Sequence, residues 1–408
     1  MKISSVVESN LCVSCGICAG VCPKKSIASV YRRGRYLPTI DENSCVNCGL
    51  CHKVCPGKSS DYVTPYQNKS PNILFGEFKS CLAAQTKDKE ILAQSNSGGV
   101  VTTLIIELLK NKLYDAAFLV DTYNFDAEIF SQKYSADSDF TSTPKSRYLT
   151  VNHSRAVDYM IKNPAEKIIL VGSSCFIQGV LNVIKQFKLP RENYLLLGLF
   201  CDKTMGYNVW HYFKEICGAK NPLQKLYFRT KEPAGWPGDV GLETNQKKYF
   251  LPRQARMQMK NFFCLERCLY CLDKLNQFAD ISFGDNYTKI KLPAQMNIAE
   301  GTSNIIIRTE RGEDIFRQFS DKFHVYEIPA AEIEKSQHLD ERAKNYVFGE
   351  YKSAQVGYPI NAVPDKISCE AYEFPEHKKS YRDLLTKQKL GREKFFPAVA
   401  ADISGKIF

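Results

Sequence analysis

Eight cysteines within the first 55 residues have the spacing for redox metal chemistry. Cys12, Cys15, Cys18 and Cys22 follow C-x2-C-x2-C-x3-C with Pro23 next, and Cys45, Cys48, Cys51 and Cys55 repeat the spacing 33 residues later with Pro56 next. The flanks repeat too, CVSCGICAGVCP against CVNCGLCHKVCP, so the segment is an internal duplication. Three thiolates of one short loop can reach three corners of a cubane, and the fourth, carried off by the next segment, ligates the other cluster. Cys12, Cys15, Cys18 and Cys55 are therefore expected to hold one [4Fe–4S] cluster, and Cys45, Cys48, Cys51 and Cys22 a second. Zinc is the alternative for such thiols, but it uses CxxC pairs without a third cysteine at the same interval and a fourth before proline. Gly16 and Gly49 leave room for tight backbone and for amide–sulfur hydrogen bonds.

A further group lies in FFCLERCLYCLDK, where Cys264, Cys268 and Cys271 are spaced C-x3-C-x2-C. Three close thiols in a reduced compartment seldom serve packing alone, so a third [4Fe–4S] site is expected there, with structural zinc as the alternative. Cys201 is the expected remote ligand, and Cys175 could replace Cys264 in the set. Cys81, Cys217 and Cys369 have no partners in sequence and are read as packing residues.

The elements that must position these groups are legible as apolar runs. Lys167–Val171 (KIILV) reads as a buried strand, 176–187 as a helix and Tyr194–Phe200 (YLLLGLF) as a second strand. This β-α-β alternation predicts parallel strands, with Cys175 and Cys201 just beyond their carboxyl ends, where open sheets bind ligands. Upstream, Ser95–Gly99 precede a helical pattern from Val100 to Leu109 and a strand at 116–120. Small residues at a helix start can bind an anion through free amides, with ordinary capping as the alternative. FRTKEPAGW supplies Arg229, Lys231 and Trp236, suited to an anionic aromatic ligand or merely part of a surface hairpin. FADISFGDNYT reads as an alternating strand into a Gly-Asp turn. Asp285 there could serve a cofactor, order the cysteine loop or cap the turn. The expected architecture is an α+β ferredoxin-like two-cluster domain over 1–60 and a linker over 61–75. An α/β domain with a partly parallel sheet follows over 76–150 and 151–335, and a tail or subdomain over 336–408.

At 408 residues, two or three domains are expected, and 44% hydrophobic with 24% charged residues excludes a mainly disordered chain. The longest apolar run, near Leu195–Phe200, is far short of the ~20 residues of a membrane span. MKISSVVESN shows no secretory pattern, so a cytoplasmic location is expected. The six histidines show no metal-site spacing, which speaks against a hydrolytic metalloenzyme. The formal charge of +11 falls to about +7 with two clusters and about +5 with three. Lys and Arg are scattered apart from YRRGR at 31–35, which reads as a hairpin tip. This pattern suits solvated surface or an acidic redox partner; nucleic acid is not expected.

Residues 1 to about 60 resemble the bacterial-type two-cluster ferredoxin domain. From Cys12 to roughly Gln337 the order of motifs is similar to the coenzyme F420 hydrogenase/dehydrogenase beta-subunit family. It is carried by SNSGG at 95–99, SRY at 146–148, VGSSC at 171–175, LFC at 199–201, FRTKEPAGW at 228–236, CLYC at 268–271, ADISFGD at 279–285 and GTSNIIIRTERG at 301–312. The resemblance implies an iron–sulfur flavoprotein that holds FAD or FMN beside a further [4Fe–4S] cluster. Electrons would pass between an external ferredoxin or other redox protein, the clusters, the flavin and a two-electron acceptor. A flavin exchanges electrons singly or in pairs, so it belongs between clusters and such an acceptor. The family's acceptors include coenzyme F420 and other substrates, as in a chlorophyll-ring reductase, and bacterial relatives occur with surface-polysaccharide biosynthesis proteins. On this basis Ser97, Gly98, Gly99, Arg147, Gly172 and Asp285 are the expected flavin contacts, and Cys175 and Lys203 the expected catalytic residues. Where the family often reads G-T-P-C-Q and C-H-G, this chain has Gly172–Phe176 as GSSCF and Cys201–Lys203 as CDK, which leaves the substrate open. The competing reading is a non-catalytic electron-transfer subunit of a larger hydrogenase or dehydrogenase complex.

Overall fold

Tight cysteine spacing allows only small elements, and the first 63 residues form them. The one-turn helices Ile17–Gly20 and Leu50–Lys53 start from Gly16 and Gly49, whose φ values of 72° and 73° suit glycine. Between them β1 (Ile27–Arg32) pairs with β2 (Arg35–Ile40), and the basic group sits at the hairpin tip as expected. β3 (Ser60–Asp61) pairs in parallel with β15 (Asn361–Ala362). The computed structural model describes residues 2–63, 72–217, 221–363 and 375–392. Residues 64–71 of the expected linker, and Cys369, lie outside the described residues.

The apolar runs KIILV and YLLLGLF form β7 (Ile168–Gly172) and β8 (Tyr194–Leu199) of an eight-stranded sheet. Its other members are β4 (Ser80–Thr86), β5 (Ala116–Leu119), β6 (Gln132–Tyr134), β12 (Ile281–Asp285), β13 (Ser303–Ile307) and β14 (Phe323–Glu327). The order is β14-β4-β13-β12-β8-β7-β5-β6. β5, β7, β8 and β12 pair in parallel, and the remaining neighbours are antiparallel. The sheet is thus partly parallel, and helix Ser174–Phe187 joins β7 to β8. β9 (Leu223–Thr230), β10 (Asp239–Thr244) and β11 (Lys248–Leu251) form a separate antiparallel sheet.

Strand side chains alternate between faces, and both faces are covered. Ile169, Leu195 and Leu197 pack with Val100, Leu104 and Leu108 of helix Val100–Lys110. Ile168, Leu170 and Leu196 face the other way and share a core with Ile17, Val21 and Val54 of the cysteine segment. Full burial of each such side chain contributes about 1.5–3 kcal/mol. The duplicated segment is therefore seated on the body. Gly179 permits this, since a β-carbon there would lie 2.2 Å from Ile17 Cδ1.

ADISFGD departs from expectation. It is a strand through Asp285, with no turn at Gly284, and Ile281, Ser282 and Phe283 are all buried. Ile281 and Phe283 pack into the core with Leu104, and Ser282 on the other face is buried between Asn276 and Arg308, so neither face meets solvent and no alternation survives. Phe200 packs against Gly284, where a β-carbon would come within 1.9 Å of its ring. At the other end, helices Ala343–Val356 and Pro375–Arg392 pack over the loop that carries Cys268 and Cys271. No described helix is long and apolar enough to cross a membrane.

Candidate functional site

The eight thiols divide four and four around two cavities, and the division is crossed. Cys12, Cys15, Cys18 and Cys55 line one pocket, walled by Ile3, Val13, Ile17 and Tyr36. Cys22, Cys45, Cys48 and Cys51 line the other, beside Ile27, Ile40 and Leu50. Each group takes three cysteines from one repeat and the last from the other. Backbone amides face the sulfurs: Ser14 N–H donates to Cys12 Sγ at 3.3 Å, and Ser26 N–H to Cys22 Sγ at 3.3 Å. Cys12 and Cys18 are buried and Cys48 is exposed. Burial holds the Cys15 and Cys18 thiols well above their usual range and pushes Cys55 up to about 12. Metal binding must displace those protons. Among the described residues no three His, Cys, Asp or Glu side chains converge as one metal ion would require. A tetrahedral zinc would draw its thiolates to about 3.8 Å of one another, whereas thiols set around a cavity suit a multi-atom cluster.

The third group extends from the first. Cys15 lies within electrostatic reach of Cys175, which occupies the first turn of helix Ser174–Phe187. Cys175 lies near Cys271, Cys201 near both, and Cys268 near Cys201, Cys264 and Cys175. The fold thus gathers Cys175, Cys201, Cys268 and Cys271. Cys264 stands at the margin, where its Sγ accepts from Gln388 Nε2 at 3.0 Å and its charged neighbours are Lys203 and Asp202. Lys203, expected in catalysis, lies there too. Cys81 and Cys217 are buried, as expected of packing residues.

Residues with no sequence signal hold this loop. Asn345 Nδ2 donates to Cys271 O at 2.9 Å and Asn361 Nδ2 to Tyr270 O at 2.8 Å. Buried Glu266 accepts from Lys352 at 2.8 Å and Arg392 at 3.2 Å. Arg342 donates to Cys201 O at 3.0 Å. These partners lie 70 or more positions away in the sequence, so only the fold reveals them.

β7, β8 and β12 end at one edge of the sheet, and Ser97–Gly99 reach the same edge beside β4 and β13. Ser97 Oγ donates to Thr302 O at 2.7 Å and Gly98 N–H to Ser303 Oγ at 3.1 Å, so both donors are engaged within the chain. Gly98 lies so close to Ala84 O that a β-carbon would stand 2.5 Å from it. Gly172 is required by the Phe176 ring, 2.3 Å from a β-carbon placed there. Asp285 neither caps a turn nor touches the cysteine loop; it accepts from buried Arg229 at 2.5 and 2.9 Å. Arg229→Met would leave this carboxylate unpaired. It should lower the unfolding free energy by about 3–5 kcal/mol, to be read from urea unfolding.

Around this pair lies a basic, aromatic corner. The Trp236 and Tyr287 rings lie 5.3 Å apart at 30°, and Trp236 Nε1 is buried without a hydrogen-bond partner. Burial lowers the Lys145 and Lys231 amines from 10.5 to about 8, and Lys145 lowers Lys231 further by repulsion. Arg147, expected at a ligand, instead donates to Thr122 O at 3.1 Å, to Thr143 O at 2.9 Å and to the carbonyls of Ser142 and Lys145. Its guanidinium lies over Tyr123. Arg147 therefore shapes the loop that carries Lys145. The corner adjoins the third thiol group: Lys260 pairs with Asp202 at 3.2 Å and lies 5.6 Å from the Tyr148 ring, which also faces Arg256.

Residues 11–59 match the 4Fe-4S dicluster domain. Residues 81–157 match the N-terminal part, and 165–332 the C-terminal part, of the coenzyme F420 hydrogenase/dehydrogenase beta subunit. The chain belongs to the coenzyme F420 hydrogenase/dehydrogenase beta-subunit family. This beta-subunit relative is 24% identical over 250 residues to the coenzyme F420 hydrogenase subunit beta of Methanococcus voltae, covering 59% of this chain and 80% of that one. It is 28% identical over 337 residues to the coenzyme F420-dependent sulfite reductase of Methanocaldococcus jannaschii, covering 77% of this chain but 47% of that one. A chain of the F420-reducing [NiFe] hydrogenase complex from Methanosarcina barkeri shares the fold, with a TM-score of 0.53 at 19% identity, over 72% of this chain and 98% of that one. The protein is thus an iron–sulfur member of an oxidoreductase family with hydrogenase and dehydrogenase subunits.

Proposed function

We propose that the protein is an iron–sulfur flavoprotein oxidoreductase. Electrons would pass between ferredoxin-type [4Fe–4S] clusters and, by way of a flavin, a two-electron acceptor. The carrying observation is the succession of thiol groups. Exposed Cys48 marks the group open to an external ferredoxin or other redox protein, Cys51 lies near Cys18 of the buried group, and Cys15 lies near Cys175 of the third. We assign the third cluster to Cys175, Cys201, Cys268 and Cys271, with Cys264 held by Gln388 instead of iron. A bound flavin would interconvert one- and two-electron transfer. We place the FAD or FMN at the corner of Lys145, Lys231, Trp236 and Tyr287, where two half-buried ammonium groups, that of Lys231 also donating to Leu92 O at 2.6 Å, and an unpartnered indole N–H suit an anionic, aromatic ligand.

The acceptor is of coenzyme F420 type or a small organic or polysaccharide-precursor molecule. The names of the relatives support a second reading, in which the chain serves as the electron-transfer subunit of a larger hydrogenase or dehydrogenase complex. Oxygen-free purification with iron, sulfide and flavin quantification tests the main reading: about twelve iron and one flavin per chain are expected. A colourless preparation without flavin would end it. Dithionite-reduced protein that reoxidises with F420 unaided would set the second reading aside.

The two lysines add a pH dependence. Their lowered amines carry charge below about pH 8 and lose it above. Flavin affinity should therefore fall about tenfold or more between pH 7 and pH 9, as followed by flavin fluorescence quenching.

A further inference from the structure

Arg267 stands between two of the thiol groups and belongs to neither ligand set. It is 4% exposed. Nε donates to Gly57 O at 3.0 Å, two residues past Cys55, and Nη2 to Ser60 Oγ at 2.8 Å and Ile360 O at 3.4 Å. Nη1 is buried with no hydrogen-bond partner. The guanidinium lies within electrostatic reach of Cys55 in one group and of Cys175 and Cys271 in the next. All of its protein acceptors are neutral oxygens. An arginine cannot shed its proton, and a buried cation without an anion costs several kcal/mol. The missing negative charge is what a thiolate-bound cluster brings, four thiolates on a core of about +2.

We propose that Arg267 is a shared counter-ion of the Cys12/Cys15/Cys18/Cys55 cluster and the third cluster, raising both potentials above that of the Cys22/Cys45/Cys48/Cys51 cluster. The inference rests on the reading above that both are iron–sulfur sites. Reduction of each cluster adds one electron with no bond made or broken, and a nearby fixed cation stabilises the more negative reduced state. In the outer group, Cys48 is exposed, Lys2, near Cys45 and Cys51, is paired with Glu42, and the other lysine lining the pocket, Lys24, is exposed. Water screens such a surface cation. Buried Arg35, which donates to Cys12 O at 2.7 Å and lies near Cys268, adds to the same field, and Arg267 with it orders the chain of clusters, with electrons running downhill from the exposed site inward.

The test is a redox titration of the full, cluster-loaded chain followed by electron paramagnetic resonance, with iron counted beforehand. In Arg267→Gln the reduced-to-oxidised ratio at fixed potential should fall about tenfold at two clusters, a drop of about 59 mV each, with the outermost cluster unmoved as internal control. Arg267→Lys, which keeps the charge, should leave both near wild type. Three unmoved potentials, three equal shifts, or a fall in Arg267→Lys as large as in Arg267→Gln would each overturn the proposal. Should Arg267→Gln load poorly, Ser60→Asp, which sets a carboxylate against the guanidinium that Ser60 Oγ now accepts from at 2.8 Å, decides: both potentials should fall with the outermost unmoved, and potentials that all stay at wild type overturn the proposal. Wild-type protein with about eight iron removes one of the two sites and overturns the proposal together with the reading beneath it; about twelve iron without a shift overturns the proposal alone.

Discussion

Replacing Cys55 by Ser should cost the protein about four iron per chain, and that iron should come from the cluster of Cys12, Cys15 and Cys18. The expectation runs against sequence proximity, since Cys55 is only four positions from Cys51. It follows from the cavities: Cys55 lines the space with Cys12, Cys15 and Cys18, and Cys22 the space with Cys45, Cys48 and Cys51. Cys22→Ser is the reciprocal experiment and should remove the outer cluster while sparing the buried one. The two variants should therefore have different residual resonance spectra at equal iron content. If Cys55→Ser and Cys51→Ser leave the same residual cluster, ligation is not crossed.

The second large effect separates Cys175 from Cys264. Cys175→Ser should lower iron by about four and Cys264→Ser should not. Cys175 lies within reach of Cys201, Cys268 and Cys271, whereas Cys264 is close to Cys268 alone of these and accepts a hydrogen bond from Gln388. Cys264→Ser should still weaken the seat of the last helix, since its Sγ is buried against Gln388, which is 0% exposed. The reverse pattern of iron loss would restore the C-x3-C-x2-C run as the ligand set.

What could be read from the residues was local. The crossed division of the first eight thiols followed from intervals of two and three residues. β7 and β8 followed from KIILV and YLLLGLF, whose apolar side chains alternate onto two covered faces. What escaped was set by distant neighbours. ADISFGD read as an alternating strand because nothing in it announces that Asn276 and Arg308 will bury Ser282 on its second face. Arg147 sat in a motif suggestive of ligand binding, yet four backbone carbonyls take up its guanidinium and leave Lys145 facing the corner. Arg267 is hidden in CLERC between two ligand candidates, and its role appears only when Gly57 and Ser60 are brought against it from the other end of the fold.

Helix Pro375–Arg392 closes over the third thiol group through Gln388 on Cys264, Tyr381 on Tyr270 and Arg392 on Glu266. Cys264, Cys268 and Cys271 are translated more than a hundred residues before Gln388. Throughout that interval the loop lacks the contacts that Gln388, Tyr381 and Arg392 later supply. If the proposed third cluster is inserted there, the order of synthesis leaves its loop open to loading until the last helix docks.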